Sequence, residues 1–173
     1  MAIGDIIVGM DIGTSKVSMV IGEVNNFNQI EVIYTDSQKC SGIKKGKIID
    51  EDEIVLAVTK LIKNAEIDAN LTINSTYITI PGKYVTIVQN SILKDAKDRY
   101  AGISMKDVSA SIMQVSDIDI PEGKQIIDIV TDRIIQENGR IVQDPVGSLS
   151  SSFTLKAQIS LADKEYKKKI TNI

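Results

Sequence analysis

The stretch IVGMDIGTSKVSMVIGEV, Ile7 to Val24, decides how the rest of the chain is read. Both of its ends are apolar and rich in β-branched residues, and between them Asp11, Gly13, Thr14, Ser15 and Lys16 form a concentrated polar group. Ile6–Met10 and Val17–Val24 therefore read as two strands around a short turn. Such a turn can hold a phosphate. Gly13 lets the backbone approach, successive amides and the Thr14 and Ser15 hydroxyls donate to phosphate oxygens, and Lys16 supplies positive charge, while Asp11 faces a metal ion or its water. The same composition also makes an ordinary solvated hairpin turn, and turn chemistry alone favours that plainer reading. Neither a Walker A loop nor a GxGxxG fingerprint occurs.

Working outward, the chain has 173 residues, which suits one compact domain or two small ones. Hydrophobic residues make up 43% and charged residues 25%, so the chain is expected to fold rather than stay disordered. Twenty basic against 23 acidic residues give a net charge of −3, leaving no overall basic field of the kind nucleic acid requires. With no His and a single Cys, Cys40, there is no Ser-His-Asp or Cys-His apparatus, no His-bearing zinc site and no internal disulfide. No catalytic group is assigned. The start lacks the basic and long apolar regions of a signal peptide, and no apolar run reaches 18 residues, so a cytoplasmic, reduced setting is expected.

Further along, Gln29–Thr35 alternates as a third strand, completing an antiparallel meander, and Ser37–Ile49, with Gly42, Gly46 and four lysines, reads as a surface connection. Asp50 followed by Glu53 resembles a capping box. It opens a helix whose Ile54, Val55, Ala57, Val58, Leu61, Ile62 and Ala65 share a face. Thr76–Ile80 is a short strand, so strand, helix and strand should cross over right-handedly onto one sheet. At Pro81-Gly82 the pattern restarts, placing a boundary there. A strand at Tyr84–Leu93 and a charged loop at Lys94–Arg99 precede a helix capped by Ser104 and Asp107, with Met105, Val108, Ile112 and Val115 on one face. Ile126–Ile135 is a strand, Asn138-Gly139 a hairpin turn leading to Ile141, and Phe153–Leu161 a strand of strict alternation buried on one face. That last strand reads as an edge guarded by Lys156, or as a partner surface that includes Lys156 and Gln158. Asp163 caps a final helix with an apolar stripe at Tyr166, Ile170 and Ile173, and Lys164, Lys167, Lys168 and Lys169 read as its solvated face. The stripe is unfinished where the chain stops, which reads as a cut.

The Ile7–Val24 run resembles the first phosphate loop of the actin-like ATPase superfamily. Within it the chain is most similar to the FtsA family of bacterial cell-division proteins. SGIKKGKIIDEDEIVLAVTKLIKNAE (Ser41–Glu66) resembles that family's loop and first long helix, and YITIPGKYVTI (Tyr77–Ile87) the exit into an inserted subdomain. IPEGKQIIDIV (Ile120–Val130) and IVQDPVG (Ile141–Gly147) are similar to the insert itself. The Ser-rich Ser148–Ser152 and the segment Val130–Arg133, without Pro or aromatic residue, depart from the family pattern. The resemblance implies an α/β fold: a partial actin-like, ribonuclease H-like subdomain over residues 1–82 and 164–173, interrupted by a small α/β insert over residues 83–163. It implies ATP with Mg at Asp11, Gly13, Thr14, Ser15 and Lys16, with Asp11 toward the metal. Because the family's second phosphate loop has no counterpart in these residues, this chain by itself is expected not to hold nucleotide tightly. It further implies a cytoplasmic, membrane-associated adaptor of septum formation. That adaptor polymerises, links FtsZ to the membrane through a segment not in these residues, and meets downstream division proteins through the insert. Two other readings stay open: an actin-like adaptor of the pilus-assembly type, and a fragment of an actin-like ATPase or phosphotransferase.

Overall fold

A computed structural model describes residues 2–98 and 100–173; Arg99, the expected end of the charged loop, lies outside the described residues. The chain is mixed α/β and divides into two compact units, Met1–Pro81 with Lys169–Ile173, and Gly82–Lys168.

In the first unit β1 (Ile6–Ile12), β2 (Lys16–Val24) and β3 (Ile30–Lys39) form an antiparallel meander. Val8, Met10 and Ile12 lie opposite Ile21, Met19 and Val17, and all six side chains are buried, as alternation on a one-sided sheet requires. The helix α1 (Glu51–Asp68) packs on β2 and β3 with Ile54, Ala57, Val58, Leu61 and Ala65 buried, each large aliphatic side chain contributing about 1.5–3 kcal/mol. Val55, expected on that face, is exposed because it falls one residue past the Ile54 stripe. Asp50 caps the helix, its Oδ1 accepting the Glu53 N–H at 3.0 Å. The box is only half of the expected one: the Glu53 carboxylate accepts instead from the N–H and hydroxyl of Ser41, at 2.7 and 2.8 Å.

The segment read as a surface connection is more ordered than that. β3 runs on to Lys39, and β4 (Ile43–Lys44) and β5 (Lys47–Ile48) make a tight hairpin with Lys45 and Gly46 at φ 49° and 71°. Positive φ at both central positions matches the twist of a two-residue hairpin. After α1, β6 (Tyr77–Ile78), shorter than the expected Thr76–Ile80, joins β1 in parallel, giving the order β3-β2-β1-β6. Parallel neighbours need a long crossover, which α1 supplies.

The second unit opens with a 3-10 turn at Gly82–Tyr84 and contains β7 (Val85–Asp95), α2 (Met105–Val115), β8 (Lys124–Gln136), β9 (Ile141–Val142) and β10 (Ser152–Asp163). The strands are antiparallel in the order β7-β10-β8-β9. β10 is therefore not an edge. It pairs with β7 on one side and β8 on the other, so Lys156 guards nothing; alternation reports which face is buried and is silent on what lies alongside. Phe153, Leu155, Ala157, Ile159 and Leu161 are buried, and the first three share a cluster with Ala96, Ile103, Val115 and Ile134. The turn after β8 closes as expected, the Gly139 N–H donating to the Gln136 carbonyl at 2.9 Å with Gly139 at φ 82°.

α2 is rotated from the expected orientation. Asp107, Ser111 and Val115 are buried and Val108 half-buried, whereas Met105 and Ile112 are exposed. The capping box draws Asp107 inward: its Oδ2 accepts the Ser104 hydroxyl at 2.6 Å and the Ser104 N–H at 2.9 Å. Ser111 satisfies its own hydroxyl on the Asp107 carbonyl at 2.7 Å. The Ser104 hydrogen bonds, with a smaller contribution from Lys97, hold the Asp107 carboxyl below its ordinary value of 3.8. A carboxylate whose folded value lies below its unfolded one stabilises the fold above about pH 4, and that contribution is lost as pH falls through the folded value. Circular dichroism against pH should show the wild type losing stability below about pH 4, with a shallower acid limb for Asp107→Asn, which cannot titrate. Superimposable acid limbs would contradict it.

The helix α3 (Lys164–Thr171) begins where Asp163 Oδ1 accepts the Tyr166 N–H at 2.8 Å. Tyr166 stacks on Tyr84 with ring centroids 3.8 Å apart, and Ile170 is buried. Lys164, Lys168 and Lys169 are exposed, and Lys169 lies 3.9 Å from Glu51. Among the described residues no helix is long and apolar enough to cross a membrane.

Candidate functional site

The β1–β2 turn is closed by the Gly13 N–H donating to the Lys16 carbonyl at 2.9 Å, and tied to the end of β3 by the Cys40 N–H donating to the Ser15 carbonyl at 3.2 Å. A Cβ on Gly13 would lie 3.0 Å from that Lys16 carbonyl oxygen, so this position presents bare backbone. Asp11 projects from the sheet face opposite to buried Met10 and Ile12. Its Oδ1 accepts the Thr79 hydroxyl at 2.6 Å, while the Thr79 N–H donates to the Met10 carbonyl at 3.2 Å. The parallel β1–β6 pair thus ends on a carboxylate and a hydroxyl held together at the carboxyl edge of the sheet, where open α/β sheets place their ligands.

A cleft of about 330 Å³ opens here, lined by Asp11, Gly13 and Thr14 on the turn, Ile43 and Gly46 on the β4–β5 hairpin, and Thr79. Of the five residues singled out in the sequence, three line this cleft; Ser15 and Lys16 are exposed on the turn and do not. Thr79 and the hairpin were missed. The signal was present in the stretch after α1, because a strand that returns parallel to β1 must end beside the end of β1. No group of three or more His, Cys, Asp or Glu gathers among the described residues. One carboxylate with the Thr14 and Thr79 hydroxyls suits a hard cation that keeps its waters and takes phosphate oxygens, as Mg²⁺ does.

No protein-family model matches the chain. The cell-division protein FtsA of Pseudomonas aeruginosa is 26% identical to it over 144 residues, 83% of this chain and 34% of that protein. FtsA of Buchnera aphidicola is 29% identical over 146 residues, covering 82% and 34%, and FtsA of Bacillus subtilis 23% over 141 residues, covering 82% and 32%. The chain is FtsA-like. It spans about a third of the length of the FtsA relatives it matches. A solved diol dehydratase-reactivating factor in nucleotide-free form overlaps with a TM-score of 0.34 at 15% identity, over 73% of this chain and 18% of that one.

The second unit of the FtsA-like chain carries Lys156 and Gln158 on the outward face of β10. They line a shallow groove of about 230 Å³ with Gln89, Asn90 and Ser91 of β7 and with Asp132. The β8 register slips here, Lys156 facing Arg133 and Ala157 facing Thr131, so Asp132 is the bulged residue and ion-pairs with Arg133 at 3.0 Å.

Proposed function

We propose that this chain is the N-terminal part of an FtsA-like cell-division adaptor of the actin-like, ribonuclease H-like kind, with ATP and Mg²⁺ at the β1–β2 turn. On this reading residues 1–82 and 164–173 belong to the actin-like subdomain and 83–163 to its insert. The single observation that carries the nucleotide assignment is the Asp11–Thr79 hydrogen bond at the end of the parallel β1–β6 pair, directly beside the bare backbone of Gly13. Gly13 and Thr14 would cradle phosphate oxygens, Ser15 and Lys16 would meet the outer charge, and Asp11 would orient metal-bound water. Mg²⁺ neutralises phosphate charge when bound. In the whole protein this nucleotide-dependent unit would polymerise and link FtsZ to the cytoplasmic face of the membrane. The insert, with Lys156 and Gln158, would meet a neighbouring subunit or a downstream division protein.

Gly13→Val tests the site. In the natural-length protein it should weaken ATP by about 2 kcal/mol or more, because the added side chain keeps phosphate away from the turn's backbone and costs the hydrogen bonds made there. Isothermal titration of both proteins decides it, and equal affinities would remove the turn from the site. Lys156→Glu tests the insert: normal melting with lost co-sedimentation into polymer supports an interface there, and unchanged assembly argues against one.

A further inference from the structure

β7 is an outer strand of the second sheet, paired with β10 along all of its 11 residues, and among the described residues no strand lies on its other side. The Ala96 N–H donates to the Ser151 carbonyl at 2.8 Å, one step past the end of that ladder. Backbone groups alternate in direction along a strand, so the even-numbered residues of β7 turn theirs toward β10 and the odd-numbered ones toward the open edge. Ser91 agrees with this, its N–H donating to Asn90 Oδ1 at 2.9 Å.

Outer strands are ordinarily protected from further pairing by shortness, Pro, Lys or a bulge. In the two four-stranded sheets β6 and β9 have two residues each, and the pairing of β3 slips where β2 passes from Ile21 to Gly22. β7 is long and free of Pro, its pairing never slips, and its one Lys is next to its end. It also exposes two large aliphatic side chains, Ile87 at 61% and Leu93 at 67%, on the face that carries Lys156 and Gln158. The strand reads nearly alike from both ends. About Asn90, Gln89 mirrors Ser91, Val88 mirrors Ile92, and Ile87 mirrors Leu93, so polar matches polar and aliphatic matches aliphatic.

We propose that β7 is a self-recognition edge, through which two copies of this chain associate by antiparallel β7–β7 pairing about a two-fold axis at Asn90. Such an axis brings each residue against its mirror image in the strand. Gln89 then faces Ser91 of the second copy and Ile87 faces Leu93, each an open-edge residue opposite another, so the free N–H and C=O groups find partners. Moving the register by one residue would set open-edge groups against groups already committed to β10. Like charges are nowhere directly opposed, since Lys94 meets Thr86 and Asp95 meets Val85. The two four-stranded sheets become one continuous sheet, and the exposed Ile87 and Leu93 cover each other on both sides of the axis. This contact closes on itself and needs no nucleotide, so it is independent of the β1–β2 turn.

The test is sedimentation velocity of the natural-length protein without nucleotide, over a range of concentrations, comparing wild type, I87K/L93K and I87K/L93E. Positions 87 and 93 lie roughly 20 Å apart along one strand, too far to interact within a copy, but they oppose each other across the axis. Wild type should pass from monomer to dimer as concentration rises. I87K/L93K sets Lys against Lys twice and should weaken the dimer about tenfold or more, whereas I87K/L93E sets Lys against Glu twice and should restore it, less so at high salt. The restoring variant carries the same I87K change, so a loss caused by misfolding would not be recovered. Hydrogen exchange gives a second readout: the amides of Ile87, Gln89 and Leu93 should gain protection with concentration, while those of Val88 and Ile92 are protected throughout. A wild type that stays monomeric up to about 1 mM, or a dimer that survives I87K/L93K unchanged, would overturn the proposal. Failure of I87K/L93E to dimerise would overturn it too, and would leave this edge to a strand from a different protein.

Discussion

Phe153→Ala is expected to lower the stability of the second unit by about 3–5 kcal/mol. Phe153 is fully buried on the central strand and is held from both sides, opposite Lys94 of β7 and Gln136 of β8. Its cluster mates Ile103, Val115, Ile134 and Leu155 are themselves buried, so the emptied volume cannot be filled by a strand shifting inward without breaking two ladders. Against a typical domain stability of about 5–15 kcal/mol the loss is large. Urea unfolding followed by circular dichroism measures it, and a change below about 1 kcal/mol would mean that the cluster is not the core of this unit.

Gly42→Ala should cost up to about 3 kcal/mol in the first unit by overpacking. An added Cβ would stand 2.5 Å from the Asp50 carbonyl oxygen and 2.6 Å from Cγ1 of buried Ile54. One obstacle is the backbone of the helix cap and the other a core side chain, so neither can yield cheaply. The damage should also displace the β4–β5 hairpin, whose base is the Gly42 carbonyl. Gly82→Ala is the control: its Cβ meets nothing within 4 Å, and its melting temperature should match wild type. A Gly42→Ala protein that melts like the control would show that the hairpin base is loose.

What could be read in the sequence was whatever local chemistry determines. Asp50 and the spacing of Ile54, Ala57, Val58, Leu61 and Ala65 suffice for α1, and Asn138-Gly139 suffices for its turn. The orientation of α2 was not legible from apolar spacing, since its inward face is set by the Ser104–Asp107 box and hides the polar Ser111 within the helix's own hydrogen bonding. Nor could alternation tell that β10 is central, because its neighbours β7 and β8 are chosen by topology. The candidate site divides in the same way. Asp11, Gly13 and Thr14 are contiguous and were readable, whereas Thr79 enters through a pairing 68 residues away.

The Asp11–Thr79 hydrogen bond closes a span of 68 residues, and such closures come late because their entropy must be met before the contact rewards it. A nascent chain emerging from the ribosome can complete the β1–β3 meander while Thr79 is still unmade. The cleft exists only once α1 has docked and β6 has slotted beside β1. The cleft at this edge of the sheet is therefore a mark of finished folding: a half-synthesised chain has the turn but not yet the cleft.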